Sequence, residues 1–291
     1  MVIFQFLKCL VILSFCSAVP TPNSTTDMKQ YDCRFDDRLV ANEILMLESK
    51  SLDRSAVKTA SIFRWRDHKN IVPYFFDKAV GDIVIERVKE AMEMISEKTC
   101  IKFEEVDEKN APAHHLEIFH DNLPSDCDRY RNSGKAGPCQ SDPAARCKTG
   151  NMMMSFSRHF CTSHSIRDIN LVLHELGHVL GLAHTHRRPD SDQFINIHRD
   201  CIKKGHGFNF DRFNAGEVKT CKVPYKCNSM MHYSSSTWRK FNQCHTISAK
   251  KGKCEDGIGG GYPIQEDWDL INRVHCQGCW DGKPKSGKCL C

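Results

Sequence analysis

Apolar positions recur at two different periods along this chain. Ile71–Phe76 is a short run of β-branched and aromatic residues and predicts a strand. From Asp82 onward, Val84, Val88, Ala91 and Ile95 recur at helical spacing, with Asp82 placed to cap the first free amides. One apolar face of that helix should lie against a sheet. Cys100–Phe103, Leu116–Phe119 and Asn151–Phe156 predict three more short strands. Between them, Leu123–Gly150 is rich in Gly, Pro, Ser, Asp and Cys and predicts a stapled loop within one domain. A second helix is predicted from Ser165, with Ile169, Val172, Leu173, Leu176, Val179 and Leu180 on a broad apolar face. It should stop at Gly181, a residue suited to a left-handed helix terminus.

Composition narrows the class. Hydrophobic residues make up 40% and charged residues 26% of 291, while Gly 17 and Pro 11 are too few for a collagenous or low-complexity chain. The formal charge of +5 is spread without a block of like charges, so nucleic acid is not an expected partner. The first residues form a short apolar stretch closing on Cys16-Ser17-Ala18, which predicts a signal peptide, Met1–Ala18, and a secreted, extracellular protein. Its shortness, with Pro20 and Pro22 directly behind it, argues against a membrane anchor, and no membrane partner is expected. Residues 19–54 are polar, carry the sequon Asn23-Ser24-Thr25 with Asn23 as the glycosylation acceptor, and are expected to be a pro-segment.

Two of the 17 cysteines leave with the signal peptide. The remaining fifteen, in an oxidising compartment, read as a disulfide framework. Setting aside Cys33 in the pro-segment leaves an even number that can pair fully in the mature chain. Cys276-Gln-Gly-Cys279 has zinc-knuckle spacing, but behind a signal peptide a disulfide is its expected fate.

The decisive motif lies on the second helix. His174-Glu175-Leu176-Gly177-His178 sets two imidazoles four residues apart, on one face and about one turn apart, so both can bind one zinc ion. Gly181 lets the chain turn, and His184 returns as a third ligand, completing His-Glu-x-x-His-x-x-Gly-x-x-His. Three neutral ligands with a position left over for water is the arrangement of a catalytic site, one Zn2+ per chain, with Glu175 beside it as general base. Two readings from other classes compete: a catalytically silent binding protein on the same scaffold, and a disulfide-rich toxin or adhesion module. Every residue of the motif is present, which disfavours the first, and the second leaves the zinc helix unexplained.

Farther on, Arg188, Asp190 and Asp192 continue the zinc motif, and Tyr225 leads to Ser229-Met230-Met231-His232-Tyr233. Here the sequence resembles the astacin family of secreted zinc endopeptidases, within the metzincins, from about Ser55 to Cys276. The resemblance implies an α+β, two-lobed zincin fold: a mixed sheet, a zinc-bearing helix and a disulfide-rich C-terminal lobe. The catalytic domain would be 55–276, followed by a short Cys-rich tail, 277–291. It implies zinc-dependent hydrolysis of protein or peptide substrates, Met231 as the Met-turn beneath the zinc, and Tyr233 as a switchable fifth ligand that also serves catalysis. By the family's pattern Cys100 pairs with Cys276, Cys161 pairs with Cys139 or Cys147, and the strand around Met152–Phe156 is the edge that receives substrate. A carboxylate in the pro-segment would mask the zinc; the matching position is Glu43, with Cys33 as a rival mask. Three features depart from the pattern. Thr185 stands where the family carries the Glu that anchors the new N-terminus, the segment from Cys161 to His174 is longer, and the mature cysteines exceed the basic set. Thr185 would also suit a matrix-metalloproteinase-like metzincin, but Arg188-x-Asp190 and Ser229–Tyr233 favour astacin. The substrate, the pairing of the other cysteines and the oligomeric state are left open.

Overall fold

A computed structural model describes Trp65 and residues 69–121, 134–138, 152–157 and 166–276. The first three strands and the helix between them appear in the order the pattern predicts. Strand β1 is Ile71–Phe76, helix α1 Asp82–Lys98, β2 Lys102–Glu105 and β3 Leu116–Asp121. Helix α1 forms because Val84, Val88, Ala91, Met92 and Ile95 make one buried stripe, with acidic Asp82 in its first turn and basic Lys98 in its last favouring the helix dipole. Asp82 is not the cap, however. Gly81 holds that position with extended backbone angles, and no side chain among the described residues caps the helix. The strand predicted at Cys100–Phe103 begins at Lys102, whose amide donates to the Asn70 carbonyl as the parallel ladder with β1 starts.

Strand β4, Gly134–Pro138, lies inside the stretch predicted to be loop, and β5 is Met152–Ser157. The sheet order is β2-β1-β3-β5-β4, with β1, β2, β3 and β5 parallel and β4 antiparallel to β5. The expectation that β5 is the edge is therefore wrong: β5 pairs on both sides, and β4 is the outermost of the described strands. The reason is burial. Met152, Met154 and Phe156 point into the main core, while Met153 packs with Phe119 on the opposite face, so β5 is covered like a central strand.

Helix α2, Ile166–Val179, packs against α1 and runs past β4 and β5. Its apolar residues join those of α1, β1, β3 and β5 in one core, closed by Met230, Met231 and, from helix α3 (Gln265–Ile271), Trp268 and Ile271. A second cluster, around Ile195, Phe210, Tyr225, Tyr233, Trp238 and Ile247, underlies the two-stranded sheet of β6 (Ile195–Ile197) and β7 (Ile247–Ala249).

Three disulfides lie wholly among the described residues. Cys100–Cys276 joins the end of α1 to the end of the helical segment after α3, as the resemblance implied. Cys201–Cys244 and Cys227–Cys254 staple the second cluster, and Cys221 is also bridged. Cys33, Cys139, Cys147, Cys161, Asn23 and Glu43 fall outside the described residues.

Candidate active site

The zinc helix ends in a Schellman turn. The Gly181 amide donates to the His178 carbonyl, the Leu182 amide donates to the Gly177 carbonyl, and Gly181 takes φ +85°, which a Cβ would strain. This turn does two things for the site. It sends the chain back toward the helix so that His184 arrives beside His178, and it exposes the Leu182 carbonyl, to which His178 Nδ1–H donates at 2.8 Å. His174 Nδ1–H donates in the same way to the Met230 carbonyl at 2.7 Å. Each bond fixes the proton on Nδ1 and turns the Nε2 lone pair inward.

The three imidazoles meet as the sequence predicts. One ligand nitrogen from each of His174, His178 and His184 lies within 4.8 Å of the other two, close enough for one ion to contact all three. The Nε2 atoms of His174 and His178 are buried with no hydrogen-bond partner among the described residues, a costly arrangement unless an ion takes their lone pairs. The chemistry of the set fits zinc: neutral nitrogen donors, two of them with their other nitrogen tied to a carbonyl. Burial holds all three rings well below the ordinary histidine range, His174 to about 4 and His178 to about 3, which keeps them neutral and able to bind metal.

Glu175 projects from the same turn and is fully buried. Burial pushes its carboxyl up to about 8, against the pull of the Ala136 amide and the Lys135 ammonium, both on β4. Strand β4 passes so close that a Cβ at Gly134 would sit 2.9 Å from Glu175 Cγ and 3.2 Å from Oε1. A strand of Gly-Lys-Ala-Gly-Pro is what such an approach requires.

Met231 lies under the helix. A Cβ at Gly177 would meet its sulfur at 2.7 Å, so the glycine of the zinc motif makes room for this thioether. Tyr233 is buried next to the ligands, its ring 4.6 Å from that of His184 and stacked 4.0 Å from that of His186, with Phe210 edge-on at 5.6 Å. His232 serves the backbone rather than the metal. It accepts from the Tyr225 hydroxyl at 2.8 Å and donates from Nδ1 to the Tyr233 carbonyl at 2.6 Å. Arg188 grips Asp190 with two parallel bonds of 2.8 and 2.9 Å, and Asp192 pairs with Arg212, so the tail of the long motif stabilises the turn after His184.

Comparison with known proteins gives this geometry its family. The sequence profile of the Astacin peptidase family matches residues 57–276. The chain belongs to the astacin family. It is similar to zinc metalloproteinase nas-30 of Caenorhabditis elegans, 29% identical over 222 residues that cover 76% of this chain and 26% of that relative. It is similar also to zinc metalloproteinase nas-5 of the same organism, 29% identical over 241 residues covering 80% of this chain and 61% of the relative. The chain thus spans less than two thirds of the length of each. Among solved structures, its fold is like that of High choriolytic enzyme 1, a hatching enzyme zinc-protease from Oryzias latipes, with a TM-score of 0.53 and 20% identity over 69% of this chain and 87% of that one.

Zinc is the cofactor of this astacin, and His174, His178 and His184 form the triad that holds it. The sequence missed two parts of the site. Strand β4 carries no β-branched or alternating pattern to signal it. The Met230 carbonyl, which orients His174, is a backbone group that no motif records.

Proposed function

We propose that this astacin is a secreted endopeptidase that hydrolyses peptide bonds of protein substrates. The observation that carries the reading is the convergence of three metal-ready imidazoles with one buried carboxylate at the end of a single helix. When bound, zinc supplies a Lewis acid that polarises a carbonyl and acidifies water, and its charge favours the ionised form of Glu175. Glu175 then accepts the proton of the attacking water and returns it to the leaving amine. Tyr233, stacked on His186 and tilted against His184, donates a hydrogen bond from its hydroxyl to the oxyanion, a role worth about 3 kcal/mol in comparable sites. Among the described residues β4 is the outermost strand of its sheet, so its outer backbone groups can pair with an extended substrate beside Glu175.

Cleavage of a mixed peptide library by the processed protein tests the reading. Hydrolysis at internal bonds, abolished by a chelator and restored by zinc, is expected. Intact peptides in the presence of stoichiometric zinc would support the silent binding protein instead.

A further inference from the structure

The hydrogen bonds that hold two of the zinc ligands lead back to one buried carboxylate, Asp267. Thr185 follows the third ligand directly and is stitched to the Met-turn twice: its amide donates to the Met231 carbonyl at 2.9 Å, and its hydroxyl donates to Ser229 Oγ at 3.0 Å. Ser229 Oγ also accepts from the Met231 amide at 3.1 Å and donates its own proton to Asp267 Oδ1 at 2.6 Å. That hydroxyl has used its one donor and both acceptor sites, so its rotor is fixed. Asp267 Oδ2 accepts from the amides of Met230 and Ile264, each at 3.0 Å. Ser229 and Asp267 are both buried.

The connections reach two of the three ligands by separate routes. Through Ser229 and Thr185 the carboxylate fixes the backbone that presents His184. Through the Met230 amide it fixes the residue whose carbonyl receives His174 Nδ1–H. On its other side Asp267 belongs to the first turn of α3, which leads to the Cys100–Cys276 disulfide. The anchor is therefore a helix tied to a disulfide, and the 2.6 Å Ser229–Asp267 bond has the short length of a charge-assisted hydrogen bond.

We propose that Asp267, Ser229 and Thr185 form a positioning relay that sets the zinc ligands His184 and His174, with Thr185 as its contact to the third ligand. The proposal rests on the zinc-site reading and on no step of peptide hydrolysis. Substitutions one layer behind metal ligands typically cost about 10–100-fold in metal affinity or activity. Thr185→Val keeps shape and removes only the hydroxyl. It should weaken zinc binding several-fold, lower kcat and leave KM within about twofold, and Thr185→Ser should restore both.

The test is a double-mutant cycle on the zinc dissociation constant of the full processed protein, measured by competition with a chromogenic chelator, with the melting temperature of the zinc-free protein as the folding control. Ser229→Ala should weaken zinc binding at least as much as Thr185→Val, and the double variant should be no weaker than Ser229→Ala alone, because the second cut falls on a relay already broken. Asp267→Asn, which reaches both ligands, should show the largest loss. Should that buried change prevent folding, the Thr185 and Ser229 pair still decides the matter. Zinc affinities within twofold of the parent for Thr185→Val, or losses that multiply in the double variant, would overturn the relay. If the parent protein cleaves nothing while these affinities shift as expected, the relay stands and the peptidase reading falls.

Discussion

Replacing Gly177 by alanine sets two well-understood effects against each other at one atom. Gly177 lies inside α2, where alanine would ordinarily gain about 0.5–1 kcal/mol over glycine in helix propensity. The new methyl, however, would stand 2.7 Å from Met231 Sδ and 3.2 Å from Met230 Cε, both in side chains almost fully buried. Overpacking of this kind typically costs about 1–3 kcal/mol, somewhat less where a methionine can rearrange. The net expectation is destabilisation by about 1 kcal/mol, or about 2–4 °C in melting temperature for a unit of this size. The larger consequence falls on the metal. The Met230 carbonyl holds His174 and the Met231 carbonyl holds Thr185, the residue after His184, so a shift of this turn misaims His174 and His184 and should weaken zinc binding about tenfold. Urea titrations of the zinc-loaded and zinc-free protein, with a zinc competition assay, measure both. A Gly177→Ala protein that is more stable than the parent and binds zinc equally well would show that the methyl meets no resistance from Met230 and Met231 and that helix propensity acts unopposed.

Three further outcomes are expected. Gly134→Ala should reduce kcat by about tenfold or more with zinc content intact, since its methyl would displace the Glu175 carboxylate; kinetics with metal analysis would show this, and parental kcat would contradict it. Tyr233→Phe should lower kcat far more than it raises KM if the hydroxyl serves the oxyanion as proposed, and a pure KM effect in steady-state kinetics would argue against that role. Burial holds His232, to about 4, and His275 below the ordinary histidine value of about 6.5. The unfolded chain therefore binds more protons than the folded one below that pH, so the stability they contribute is full above about pH 6.5 and drains as pH falls toward about 4. Denaturation midpoints that stay level from about pH 7.5 to about pH 4.5 would count against this.

Sequence reveals the zinc site so fully because its chemistry is local. His174 and His178 need only a helix to share a face, Glu175 follows directly after the first of them, and Gly181 announces the turn that returns His184. The period of Val84, Val88, Ala91 and Ile95 similarly reveals α1, since one buried stripe is enough to specify it. Strand β4 is invisible for the opposite reason: Gly134–Pro138 has no side-chain pattern of its own and becomes a strand only by pairing with β5 and passing over Glu175. Its small residues, which read as loop, are what the close approach demands. The cap of α1 was misplaced by one residue because an acidic side chain favours the first helical turn as well as the cap. The Cys201–Cys244 and Cys227–Cys254 bridges, and the relay through Thr185, Ser229 and Asp267, join residues far apart in the chain, and only the fold brings such residues together.

Glu175 is proposed to move protons while the three histidines hold the metal, and Glu175→Ala separates the two roles. The variant should bind one equivalent of zinc with near-parental affinity, melt close to the parent, and lose nearly all hydrolysis of an internally quenched peptide. Stoichiometric zinc with parental turnover would rule out Glu175 as the general base.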